Sequence, residues 1–141
     1  MGRILAVDYG RKRCGIAVTD ELQLIANGLT TVRSHDVFDF LKNYLANEKV
    51  NTVVVGEPKD MHNNPSEAAR FIEPFVNRLR NAFPDLDIQR FDERFTSVMA
   101  FQSMIDAGLS KKKRQDKSLV DTISATIILQ SFMESQKNRT K

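Results

Sequence analysis

Four carboxylates stand where this chain could do chemistry. Asp8 closes the apolar run Ile4-Leu5-Ala6-Val7, Asp92 and Glu93 close a second alternating run, and Asp121 falls in the first turn of a long apolar-striped segment. An acid at the end of a buried strand stands at the rim of a sheet, where open α/β sheets place their sites. Carboxylates gathered there repel one another unless a cation sits among them. Oxygen donors of this kind suit a hard divalent ion, Mg²⁺ or Mn²⁺. Two such ions roughly 4 Å apart would activate water for phosphodiester hydrolysis. Each acid also has a plainer role. Asp8 alone could cap the turn that follows it, and Asp121 could complement a helix dipole. His35 and His62 show no paired metal-ligand spacing, which speaks against zinc. Neither a nucleophile elbow nor a phosphate-binding Walker A loop is present, so a serine hydrolase and a P-loop NTPase are disfavoured.

The elements that must position these acids follow from periodicity. A strand ending at Asp8 turns through Gly10 to Gly15 and returns through Ile16, Ala17 and Val18, and a third strand is predicted over 24–32. Ser34 or Asp36 is the expected N-cap of a helix carrying Val37, Phe38, Phe40, Leu41, Tyr44 and Leu45. The β-branched run Thr52-Val53-Val54-Val55-Gly56 reads as a strand buried on both faces. A loop over 59–65 and a helix from Ser66 follow, with Ile72, Phe75, Val76 and Leu79 inward. Pro74 is expected to kink or interrupt that helix, since it lacks a backbone donor. A fifth strand over 86–91 delivers Asp92-Glu93-Arg94. A helix over 97–107 comes next, and a last helix over about 118–135. Three meandering strands followed by βα units predict a mixed sheet with helices on both faces.

The chain has 141 residues, 41% of them apolar, a net charge of +3 and one cysteine, Cys14. That suits a single domain over 1–135 with a short basic tail over 136–141, and it excludes an internal disulfide. No apolar run approaches the roughly 20 residues that span a bilayer, and the first residues enter a strand with no signal-peptide layout, so a cytoplasmic protein without a membrane partner is expected. The charge is unevenly spread. Lys111, Lys112, Lys113, Arg114 and Lys117 crowd into seven residues just before Asp121, while the body of the chain is mildly acidic. Such a run suits a polyanion partner, held through phosphates rather than bases because no aromatics are interleaved.

Asp8-x-Gly10-x-x-Arg13-x-Gly15-x-Ala17, Val55-Gly56-x-Pro58, Asp92-Glu93-Arg94-x-Thr96 and Asp121-x-x-x-Ala125 with Ile128-Leu129-Gln130 together resemble the YqgF family. These are RNase H-fold proteins similar to Holliday-junction resolvases and also described as candidate pre-16S rRNA nucleases. The resemblance covers residues 4 to about 133 with its motifs in order. It implies an RNase H-like five-stranded mixed sheet with the first strand central. It also implies a catalytic acid triad of Asp8, Glu93 and Asp121 holding Mg²⁺ or Mn²⁺, with Glu93 rather than Asp92 as the second acid. Arg13 and Arg94 would then contact substrate phosphate, and the run Lys111, Lys112, Lys113, Arg114 and Lys117 would hold nucleic-acid backbone. Glu57 departs from the family pattern, which has an apolar residue there, and adds an acid at the edge of the fourth strand.

Three readings follow. The first is a metal-dependent nuclease for structured nucleic acid, in processing of the pre-16S rRNA 5′ end, or acting on branched DNA as a resolvase-like enzyme. The second is a non-catalytic nucleic-acid-binding factor of ribosome maturation. The third rests on Asp-x-Gly, which also resembles the phosphate hairpin of sugar kinases and actin-like ATPases. Those need two such domains, and this length supplies one. RNA and DNA substrates are not separated by the acids, and neither are monomer and homodimer.

Overall fold

Alternation of side chains decides which face each strand presents, and it accounts for most of the architecture. A computed structural model describes residues 2–57, 69–93 and 117–139, without the side chains of 69, 117–119, 138 and 139. Strands β1 (Arg3–Tyr9), β2 (Arg13–Thr19) and β3 (Ala26–Arg33) are followed by α1 (Val37–Asn47), β4 (Val50–Glu57), α2 (Ala69–Ala82), β5 (Asp87–Asp92) and α3 (Lys117–Arg139). The sheet order is β3-β2-β1-β4-β5, with β1 central. β1 runs parallel to β4, and β4 to β5, while β2 and β3 are antiparallel to their neighbours. The C-terminal ends of β1, β4 and β5 therefore share one rim with the start of β2 and the end of β3.

One face of the sheet presents Leu5, Val7, Cys14, Ile16, Val18, Val53 and Val55 to α1 and α2, which contribute Val37, Leu41, Ile72, Phe75, Val76 and Leu79. The opposite face presents Ile4, Ala6, Ala17 and Val54 to Ala125, Ile128, Leu129 and Phe132 of α3. The second face is lined by smaller residues and by glycines, so α3 approaches it closely. A Cβ on Gly15 would lie 1.9 Å from the carbonyl oxygen of Asp121, and one on Gly28 2.4 Å from Cγ2 of Thr122. Thr31 and Thr122 share a hydroxyl hydrogen bond of 2.8 Å across the same seam. Cys14 is fully buried among the apolar residues of the first face.

Three local expectations are corrected: the start of β3, the effect of Pro74 and the end of the last helix. β3 begins at Ala26 rather than Leu24, because Asp20 accepts backbone N–H bonds from Leu22, Leu24 and Ile25 and folds them into the preceding turn. Those three side chains are exposed. Pro74 does not interrupt α2, which runs through it unbroken. Pro74 is on the exposed side while Ile72, Phe75, Val76 and Leu79 stay buried, so the apolar anchor of the helix is kept. Asp36 occupies the N-cap of α1 but makes no side-chain cap bond, whereas the Ser34 hydroxyl donates to the Gly10 carbonyl at 2.6 Å. The last helix reaches Arg139, past the expected end near 135. The loop over 59–65 and the helix over 97–107 lie outside the described residues.

Candidate active site

The face rule selects among the acids. In β1, Ile4 and Ala6 point to α3, so Asp8 does too. Its ladder partner across β2 is Gly15, the residue on which the Asp121 backbone rests. The close approach that requires glycine at 15 thus brings Asp121 beside Asp8. In β4, Gly56 shares the α3 face with Val54. A Cβ there would come within 3.1 Å of Cδ of Glu93 and 2.9 Å of Cδ1 of Ile128. In β5, Phe91 packs toward the α3 core and Arg90 pairs with Glu73 of α2, so Asp92 follows Arg90 while Glu93, in the turn after the strand, returns to the α3 face. Glu57 follows Val53 and Val55 to the α1 and α2 face. Strand parity accordingly places Asp8, Glu93 and Asp121 together and directs Asp92 and Glu57 away.

Electrostatics show the same grouping. Asp8 is pushed up to about 6, first by burial and then by the charge of Asp121. Glu93 is pushed up to about 7, first by burial, then by Asp8 and Asp92, with Arg90 acting the other way. Asp8 thus feels the charge of Asp121, and Glu93 feels that of Asp8. Like charges held in a half-buried space favour protonation or a counter-cation. Asp121 already has a cation: the Arg13 guanidinium donates from Nε to its Oδ2 at 2.7 Å. As placed, the acids do not form a closed ligand cage. Among the described residues no three His, Cys, Asp or Glu side chains are gathered tightly enough to hold an ion. The donor set itself is all carboxylate oxygen and fits Mg²⁺ or Mn²⁺ better than a softer metal.

Arg94, Lys111, Lys112, Lys113 and Arg114 lie outside the described residues, as does the side chain of Lys117, which begins α3. Sequence reading passed over Arg11, Lys12 and Arg33. These line a cavity beside Arg13 with Ser34 and His35. The signal that could have found them was the three consecutive cations of the turn after Asp8.

An RNase H-like sheet with a cluster of acids at the end of its central strand defines a class of phosphodiester-cutting nucleases. A family model described as "RuvX: Holliday junction resolvase" matches residues 2–135, and the chain belongs to that family. It is 59% identical over 137 residues, 97% of this chain and 99% of the relative, to a protein of Flavobacterium johnsoniae named "Putative pre-16S rRNA nuclease". Proteins of the same name from Phocaeicola vulgatus and Bacteroides thetaiotaomicron are 60% and 57% identical, again over 97% of this chain and 99% of theirs.

Proposed function

We propose that this chain is a metal-dependent nuclease that hydrolyses phosphodiester bonds of structured nucleic acid, with the 5′ end of pre-16S rRNA as its substrate. The observation that supports the reading is that Asp121 rests on Gly15, the ladder partner of Asp8, while Glu93 lies over Gly56 on the same face of the sheet. The names of its relatives support the choice of substrate. Asp8, Glu93 and Asp121 would hold Mg²⁺ or Mn²⁺, which when bound supplies an activated water and charge stabilisation at the leaving oxygen, in the two-ion form if both positions fill. The protein's own part is to fix the acids on rigid strands and a helix, to keep them half-shielded from water and to present Arg13. A guanidinium can hold two oxygens of one phosphate at once, and Arg13 already spans the distance to Asp121. Arg94, Lys111, Lys112, Lys113, Arg114 and Lys117 would hold the backbone further along. The protein would act in the cytoplasm, as a monomer or homodimer; no described helix is long and apolar enough to cross a membrane.

Two other readings have specific support. The family description names a Holliday junction resolvase, which favours branched DNA. Neutralisation of Asp121 by Arg13 favours a binding factor whose acids do not cut. One assay separates them. The pure protein is incubated with Mn²⁺ or Mg²⁺ and precursor rRNA, duplex RNA or a four-way DNA junction, beside Asp8→Asn and Glu93→Gln. Cleavage of the precursor lost in both variants is the expected result. Cleavage of the junction alone would move the assignment to DNA. No metal-dependent cleavage of any of them, with binding intact, would leave the binding factor.

A further inference from the structure

The cations beside Arg13 are arranged in a way that demands an anion. β2 and β3 pair antiparallel with Arg13 directly opposite Arg33. Like charges directly opposite in an antiparallel pair destabilise a sheet. Arg11 and Lys12 add two more charges from the turn between β1 and β2, and all four line one hollow with Ser34 and His35. Among the described residues, the carboxylates contacting this lining are Asp121 on Arg13 and Asp36 on His35. Lys12 and Arg33 have no acidic partner among the described residues, and both are exposed. The backbone beneath the hollow is braced. The Gly10 N–H donates to the Arg13 carbonyl at 2.9 Å, and the Ser34 N–H to the Lys12 carbonyl at 3.0 Å. The Ser34 hydroxyl ties β3 to Gly10, and a Cβ on Gly10 would lie 2.3 Å from the Arg13 carbonyl oxygen. A tight, backbone-braced turn and the adjoining ends of β2 and β3 therefore bring four cationic residues together, contiguous with the acids through Arg13.

We infer that the hollow formed by Arg11, Lys12, Arg13 and Arg33 is a docking site for the nucleic-acid phosphate backbone next to the bond that is cut. The inference rests on the nuclease reading for the identity of the polyanion. The contacts lie where the β1–β2 turn meets the end of β3, on the rim that also carries Asp8. Arg13 spans the two regions, with one neighbour in the hollow and one among the acids. Contacts of this kind set position and strength but carry no base sequence.

The test uses the double variant Lys12→Gln/Arg33→Gln, which leaves Arg13, and Arg11 over the Phe71 ring, unchanged. Binding is read by fluorescence anisotropy in EDTA, with a labelled duplex RNA and a four-way DNA junction, across a salt series. The expected result is about tenfold weaker binding at moderate salt. The slope of log affinity against log salt should become shallower by roughly 2, since each phosphate contact contributes about 0.9. The melting temperature should hold or rise, because the Arg13–Arg33 repulsion is relieved. Unchanged affinity and slope on both probes would overturn the inference, whether or not the protein cleaves. Weakened binding in a protein that never cleaves with Mn²⁺ would uphold the docking site and sink the nuclease reading instead. Failure of the parent protein to bind either probe would overturn both.

Discussion

At the scale of single residues, the proposed site sets three acids against Arg13, which pairs with one of them. Asp8→Asn removes a half-buried charge that the fold holds at a disadvantage. Metal-dependent cleavage should fall by at least about 100-fold, the order expected for losing a group that positions transition-state charge, while the metal-free protein melts higher than the parent. A cleavage assay and a melting curve on the same preparation check both halves. The sign of the pH dependence follows from the raised values. Asp8 moves from 3.8 to about 6 and Glu93 from 4.5 to about 7, so the folded state binds protons more tightly than the unfolded chain. In EDTA, stability should therefore be greatest in mild acid and decline as pH rises from about 4 to about 7. Melting curves at pH 5 and 7.5 would show this, and a rise across that interval would contradict it. Arg13→Gln frees the Asp121 carboxylate. A calorimetric Mn²⁺ titration should then give tighter metal binding together with weaker nucleic-acid binding. Equal or weaker metal affinity would show that Arg13 is not the cation an incoming ion displaces.

At the scale of elements, two glycines divide stability from chemistry. A Cβ on Gly15 meets backbone, the Asp121 carbonyl at 1.9 Å, so Gly15→Ala must lift α3 from the sheet. Overpacking of that kind costs about 1–3 kcal/mol, read as a melting temperature several degrees lower, and it takes Asp121 from the site. The atoms nearest a Cβ on Gly56 are side-chain atoms of Ile128 and Glu93, which can rotate away. Gly56→Ala should leave the melting temperature nearly unchanged and still lower cleavage, because the atoms that move belong to a proposed ligand. Equal melting losses in the two variants would refute this division. The long apolar stripe of α3 was legible from its residues, but its contact surface was not. A helix packs closely only where the facing sheet is small-sided, and that depends on strands far away in the chain.

At the scale of the whole molecule, two cores share one sheet, and Cys14 sits fully buried in the larger. Its thiol is pushed up, chiefly by burial, so it should resist a disulfide reagent in the native protein and react readily in denaturant. The rate of labelling at low denaturant then reports opening of the β2 side of the core. Fast labelling without denaturant would mean that this side opens independently. The charge layout belongs to the same scale. A net charge of +3 is small, and the basic groups matter because the turn after Asp8 and the end of β3 bring Arg11, Lys12, Arg13 and Arg33 to one hollow on the same rim as the acids.

Local chemistry alone determined the five strands, the α/β class, the acid at the end of β1 and the burial of Cys14, because alternation and β-branching act over a few residues. The motif resemblance singled out Glu93 and Asp121. The tertiary structure decided the rest. Which of Asp92 and Glu93 faces Asp8 is a matter of strand parity in a register set by β4, and Glu57 is turned away by the same rule. Asp121 comes to Asp8 only because Gly15 lets a helix backbone settle on β2. Arg33 joins Arg13 through antiparallel pairing of segments 20 residues apart. Neighbouring residues in a chain report propensity and burial, whereas a site made of charges from different strands exists only once the sheet has fixed their order and faces.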